Sequence, residues 1–287
     1  MRQQGSRFPA NRNLSSNKMP NESDPLLARL RLARTMAAAA GQITLQYFRD
    51  PNLTVDRKAD TSPVTVADRE AENFMRAEIA ANFPSDGIVG EEFGEQEGES
   101  PFRWILDPID GTKSFVSGVP LYGCLVGIAR EGEALAGVIQ MPALNECVYA
   151  AVGHGAWQQQ GEQEPERARV SSGERIDEGL FCTSEVETFG IRPDGGGRQA
   201  YQRLEAAAGL TRTWGDCYGY LLVATGRAEI MVDPIVNIWD ACAVKPIVEE
   251  AGGTFTDWQG NPTIHNEEGV ATNGPIHDQV LAILAGK

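Results

Sequence analysis

The segment WILDPIDGTKSF, residues 104–115, constrains this chain more than any other. Trp104-Ile105-Leu106 is an apolar run that reads as a strand entering a core, and it delivers a carboxylate, Asp107, directly behind it. Pro108 then fixes φ, and a second carboxylate, Asp110, follows before Gly111-Thr112. Two acids gathered at the end of a buried strand repel each other and rise in pKa, a cost that a bound cation removes. Mg²⁺, a hard ion, takes such oxygen ligands. Gly111-Thr112, leading into a helix, would aim backbone N–H groups at an anion and seat a phosphate against the metal.

The rest of the composition narrows the chemistry in the same direction. The three histidines, His154, His265 and His277, lack paired metal-ligand spacing, which argues against zinc and against a Ser-His-Asp hydrolase. Five scattered cysteines without a C-x-x-C pair indicate a reduced, cytoplasmic chain. A formal charge of −15 argues against nucleic acid or an anionic membrane as partner, and no apolar run approaches a membrane span. An anionic substrate therefore needs positive charge supplied locally, as a divalent cation does. No P-loop is present, so metal plus phosphate seat points to phosphoester hydrolysis by metal-activated water.

Residues 1–23 are polar and read as a flexible N-terminal tail. Asp24-Pro25 then starts a long amphipathic helix that ends near Tyr47-Phe48, and a second helix follows Thr65 and stops before Pro84. Strands are predicted at 102–106, 121–130, 134–140 and 146–152. Residues 158–170 and 190–199 read as loops, and beyond them helices are expected at 201–209, 218–225 and 240–251 with a strand at 228–232. Pro246 should kink the last of these helices. The pattern divides into an N-terminal α+β half, 24–157, and a C-terminal α/β half, 158–287, a layered α/β arrangement with mixed sheets.

Further acids stand where elements begin or end. Asp68 opens the second helix, Glu91-Glu92 follow the short apolar strand Ile88-Val89, and Asp240 starts the last helix. Each taken alone has a structural explanation: a capping box at Thr65–Asp68, a solvated acidic loop at 91–92, and a helix N-cap at Asp240.

Taken together, these segments resemble the inositol monophosphatase-like, Mg²⁺-dependent phosphatases. WILDPIDGTKSF is similar to their first signature, WDACAVKPIVEEAGG (239–253) to their second, and GEE (90–92) and VTVADREAE (64–72) to two further family segments. The resemblance implies an α-β-α-β-α sandwich with the active site between two halves, usually in a homodimer. It implies two or three Mg²⁺ per site. Glu91, Asp107 and the Ile109 carbonyl would hold the first ion, Asp107, Asp110 and Asp240 the second, with Glu91 helping a third through water. Asp68 with Thr112 would activate the attacking water, Gly111 and Thr112 would bind phosphate, and Lys58 would sit near the metal-bound loop.

Within the family, DGTKSFVSGVPLYG (110–123) and RTWGDCYGYLLVATG (212–226) resemble the histidinol-phosphate phosphatase branch. Arg212, Asp216 and Asp233 are then candidate contacts to the substrate's amino-imidazole end, where acids suit a cationic group. For Asp233 a strand-end turn is nearly as good an account. The expected substrate is a small phosphorylated metabolite, L-histidinol phosphate first. Inositol 1-phosphate, fructose 1,6-bisphosphate and adenosine 3′,5′-bisphosphate are the alternatives within the family. A catalytically silent metal- or ligand-binding scaffold is disfavoured because every expected carboxylate is present.

Overall fold

A computed structural model of the protein describes residues 24–57, 63–192 and 195–287. The N-terminal tail and Lys58 lie outside the described residues. Asp24 caps α1 (Pro25–Tyr47) by accepting the Leu26 N–H at 2.8 Å. A short ribbon, β1 (Val55–Arg57) and β2 (Pro63–Thr65), leads to α2 (Val66–Asn82). Eight strands then form the first sheet. They are β3 (Gly87–Gly90), β4 (Gly94–Gln96), β5 (Phe102–Asp110), β6 (Gly123–Arg130), β7 (Glu133–Met141), β8 (Glu146–Ala151), β9 (Gly155–Gln160) and β10 (Glu166–Arg167), with the one-turn helix α3 (Thr112–Val116) after β5. Their order is β10-β9-β8-β7-β6-β5-β3-β4; β3 and β5 are parallel and the rest antiparallel.

The second sheet has the order β12-β11-β13-β15-β14. It comprises β11 (Leu180–Cys182), β12 (Leu210–Arg212), β13 (Ile230–Asp233), β14 (Thr254–Thr256) and β15 (Gly269–Thr272). Helices α4 (Gly197–Ala207), α5 (Cys217–Ala224), α6 (Ile238–Glu250) and α7 (His277–Leu284) are interleaved with these strands.

Side-chain alternation along the strands builds the layers. Trp104, Leu106, Val126 and Val138 pack under α1 and α2 with Met36, Ala37, Met75 and Ile79. On the opposite face, Ile105, Leu125 and Ile139 meet Leu221 and Val223 of α5 and Val244 and Ile247 of α6. The same two helices cover Cys182, Met231, Phe255 and Ala271 of the second sheet. That sheet's far face, Phe181, Ile230 and Val232, is closed by Leu204 of α4 and Val280 and Leu284 of α7. The order is therefore α-β-α-β-α, the sandwich that the family resemblance implies. Truncating fully buried Trp104 to Ala should cost about 3–5 kcal/mol.

The central helices lie directly on the first sheet. A Cβ at Gly137 of β7 would stand 1.9 Å from the Ala243 carbonyl of α6, so this contact needs glycine. Helix α6 continues through Pro246, where a kink was expected. Residues 158–170, expected as a loop, instead carry the end of β9 and all of the edge strand β10; these polar segments lack the apolar alternation that reveals a core strand. Residues 190–199 also differ from the loop reading, because a 3₁₀ turn ends at Ile191 and α4 begins at Gly197.

Candidate active site

Strand β5 does not stop at Leu106 but runs on to Asp110. Its register against β6 shifts from Asp107↔Leu125 to Asp110↔Gly123, so three steps on β5 oppose two on β6. Pro108 lies inside this bulge, where the missing N–H breaks no ladder bond. The Asp107 Oδ1 accepts the Ile109 N–H at 3.0 Å, and the Thr112 hydroxyl donates to the Ile109 carbonyl at 3.0 Å. The bulge thus gathers two carboxylates and a carbonyl at the strand's end.

These groups open into a cleft of about 750 Å³ between the two sheets. Asp240, in the first turn of α6, enters it from the other side. Carboxylate oxygens of Asp107, Asp110 and Asp240 all lie within 4.8 Å of one another. Burial, reinforced by Glu91, Asp110 and Asp240, pushes the Asp107 pKa well above the carboxylate range. Burial with Asp216 and Asp240 does the same to Asp110. Asp240 is pushed up to about 7, first by burial and then by Glu91, against a lowering hydrogen bond from the Asn237 N–H. Crowded carboxylates of this kind are a donor set seeking a cation. All the donors are hard oxygens, without thiolate or imidazole, and they fit Mg²⁺.

The capping box expected at Thr65–Asp68 is present, and it does not compete with a site role. Asp68 closes a capping box by accepting from the Thr65 N–H at 2.8 Å and its hydroxyl at 2.7 Å. Only Oδ2 is used; the buried Oδ1 has no hydrogen-bond partner. Burial raises the Asp68 pKa against the pull of those Thr65 bonds, and Glu91 adds to the rise. Asp240 is not the N-cap itself: Asn237 is, and Asp240 accepts its N–H at 2.8 Å from the third helical position.

Gly111 sits at φ +82°, and a Cβ there would meet Asp216 Oδ2 at 2.9 Å. Glycine at this point lets the turn pass directly beside Asp216. Helix α3 is a single turn, so a phosphate seat there would depend on individual N–H groups more than on a helix dipole. Asp216 lines the cleft with Glu185 and Glu187. Its pKa is pushed up to about 7 by burial and then by Asp233, against Lys113. Asp233 also lines the cleft, but its carboxylate is engaged by Thr183, Ser184 and Tyr220. Arg212 stands outside the cleft lining, bonded to the Thr211 carbonyl and 5.8 Å from the Trp214 ring centroid.

A family model described as the inositol monophosphatase family matches residues 27–286. The chain belongs to this family. Among its family relatives, the histidinol-phosphatase of Chlorobaculum parvum is 43% identical over 256 residues, covering 89% of this chain and 96% of the relative. The histidinol-phosphatase of Mycobacterium tuberculosis is 38% identical over 255 residues, covering 89% and 97%. The solved structure of an inositol monophosphatase from Zymomonas mobilis superposes with a TM-score of 0.79 at 31% identity, covering 91% of this chain and 99% of that one. Family membership makes the protein a phosphoric monoester hydrolase and agrees with the layered fold described above.

Three residues of this family site escaped the sequence reading. Glu72, fully buried on α2, accepts the Glu92 N–H at 2.8 Å and the Phe93 N–H at 3.2 Å, and so shapes the turn that carries Glu91. A visible signal existed, because Asp68 and Glu72 stand four apart on the helix's apolar side, beside Ala67, Ala71 and Met75. Lys113, the cation among the described cleft-lining residues, is ion-paired with Glu185. Ser184 bridges Asp233 and Asp216, and nothing in its local sequence marks it.

Proposed function

We propose that this protein is an Mg²⁺-dependent phosphomonoesterase that hydrolyses L-histidinol phosphate to L-histidinol and phosphate. The observation that carries the proposal is the acid set of the cleft: beside the carboxylate cluster fit for metal, a further acid, Asp216, lines the same cleft next to the Gly111 turn. A metabolite with an anionic phosphate and a cationic amino-imidazole suits a cation-loaded cluster with an extra acid beside it. The two histidinol-phosphatases similar to this chain support the same substrate.

In this proposal Glu91, Asp107 and the Ile109 carbonyl hold one Mg²⁺, and Asp107, Asp110 and Asp240 a second. Bound there, Mg²⁺ supplies Lewis acidity to the phosphoryl and leaving oxygens and acidifies water. Asp68, with a raised pKa and an unpartnered Oδ1, is suited to accept a proton from the attacking water. Thr112 has committed its hydroxyl proton to the Ile109 carbonyl, so its oxygen is left to accept from water. The Gly111 and Thr112 N–H groups orient the phosphate, and Asp216 holds the cationic end. A homodimer and a cytoplasmic setting belong to the same proposal; among the described residues no helix is long and apolar enough to cross a membrane.

Phosphate release measured with L-histidinol phosphate, inositol 1-phosphate, fructose 1,6-bisphosphate and adenosine 3′,5′-bisphosphate tests the reading. The highest kcat/KM is expected for the first. A preference for any other overturns the substrate assignment and leaves the metal chemistry standing.

A further inference from the structure

Asp216 holds a backbone conformation that only glycine adopts with ease, φ +50° and ψ −153°. Strain of this kind persists only where neighbours over-determine it. Here the Asp216 N–H donates to Ser184 Oγ at 2.7 Å, and the next N–H, of Cys217, donates to the Asp110 carboxylate. Gly215 lies so close to Ser184 that a Cβ there would stand 2.0 Å from its Cα.

Ser184 is itself fixed from below. Its hydroxyl donates to Asp233 Oδ2 at 2.7 Å and its N–H to Oδ1 at 2.8 Å. Asp233, 4% exposed, also accepts from the Thr183 hydroxyl at 3.0 Å and the Tyr220 hydroxyl at 3.3 Å. Four donors fill the acceptor capacity of its two oxygens. A carboxylate so occupied has little left for a substrate. What it does is force the Ser184 proton inward, so that the hydroxyl's lone pair meets the Asp216 N–H.

We propose that Asp233 and Ser184 are positioning residues: through the Ser184 hydroxyl they hold Asp216 in its strained conformation and thereby set the cleft's selectivity for a cationic substrate end. The inference rests on the reading that Asp216 meets that end. It differs from a direct contact between Asp233 and substrate, because the effect of either residue then passes through Asp216.

The test is a cycle of Ser184→Ala, Asp216→Gly and the double variant, with Asp233→Asn alongside. Selectivity is read as the ratio of kcat/KM for L-histidinol phosphate to that for glycerol 2-phosphate, whose organic end carries no charge. Ser184→Ala should lower this ratio about tenfold, mainly through KM for histidinol phosphate, the size expected for one lost hydrogen bond. Asp233→Asn should reproduce that loss. In the Asp216→Gly background, where no strain needs holding, Ser184→Ala should change the ratio less than about twofold. An equal loss in both backgrounds overturns the proposal, and so does a loss in Asp233→Asn that Ser184→Ala does not share. Hydrogen exchange of the Asp216 amide is the readout independent of substrate. It should quicken at least about tenfold in Ser184→Ala; unchanged protection overturns the positioning claim. A wild type without preference for histidinol phosphate overturns the substrate reading instead, while the exchange result still decides the positioning.

Discussion

The Asp110 carboxylate accepts the backbone N–H of Cys217, tying the bulged end of β5 to the first turn of α5 across 107 residues of chain. A candidate metal ligand is thereby fastened to the loop that presents Asp216. In the proposed function, the Mg²⁺ ligand Asp110 and the substrate contact Asp216 are therefore joined through one hydrogen bond. The measurements below probe that arrangement.

Metal-free protein should lose stability as pH rises. Burial and mutual repulsion push Asp216 and Asp240 up to about 7 in the folded chain and hold Asp107 and Asp110 well above the usual carboxylate range, against about 3.9 when unfolded. Between pH 4 and 7 the folded state therefore binds more protons than the unfolded one, and the sign of the linkage makes stability fall with increasing pH. Melting with EDTA at pH 5, 6.5 and 8 should show a drop on the order of 5–10 °C across that range. Saturating Mg²⁺ should abolish most of the drop at pH 8. A metal-free melting temperature that climbs from pH 5 to 8 contradicts the electrostatic account of the cluster.

Asp107→Asn removes one charge from the cluster while keeping its shape. Activity should fall by at least about a thousandfold, because Asp107 is proposed to bridge both metals. The metal-free variant should nevertheless melt a few degrees above wild type at pH 8, since repulsion with Glu91, Asp110 and Asp240 is relieved. Calorimetric titration with Mg²⁺ should show weakened binding. Near-normal turnover in this variant would sink the metal-ligand assignment.

Much of this could be read from the chain, and the misses share a cause. α1 and α2 announce themselves by caps and apolar periodicity; the pattern of elements gave a layered α/β arrangement, and the five-layer order came from the family resemblance. The convergence of Asp107 and Asp110 is legible because two carboxylates around a proline at the end of an apolar strand have few structural uses; Asp240, which a helix cap explains alone, joins them only through the family resemblance. Arg212 was named because its neighbours resemble a substrate segment; in the fold it pairs in β12, with its guanidinium at the Thr211 carbonyl. Ser184 and Glu72 depend on contacts between segments 20 to 49 residues apart. Such long-range partners impose no local pattern. The run of β5 past Leu106 was hidden by Pro108, which a bulge accommodates and an ordinary strand does not.

Thr112 and Asp68 should separate chemistry from binding. Thr112→Ala removes the hydroxyl proposed to orient water, and kcat should fall about a hundredfold with Mg²⁺ affinity within a few-fold of wild type. Asp68→Asn should lower kcat similarly while retaining an acceptor for the Thr65 N–H, so its melting temperature should change by only a few degrees. Equal losses of turnover and metal affinity in Thr112→Ala would place that side chain among the ligands instead.

Glu72→Gln tests whether the turn carrying Glu91 is built from beneath. The wild-type carboxylate spans two backbone donors, Glu92 and Phe93, and also accepts from Arg76 Nε at 2.8 Å. Glutamine keeps one acceptor oxygen and places an NH₂ group where the other stood, so one N–H of the turn loses its partner. Groups that orient a metal ligand commonly change affinity by ten- to a hundredfold when altered. Mg²⁺ affinity should accordingly weaken about tenfold, while kcat at saturating Mg²⁺ stays within about threefold. Breaking the buried pair with Arg76 should also lower stability by about 3 kcal/mol, visible as a shift of the urea midpoint. If stability falls but Mg²⁺ affinity does not, Glu72 supports the fold alone and the Glu91 turn is shaped by its own backbone.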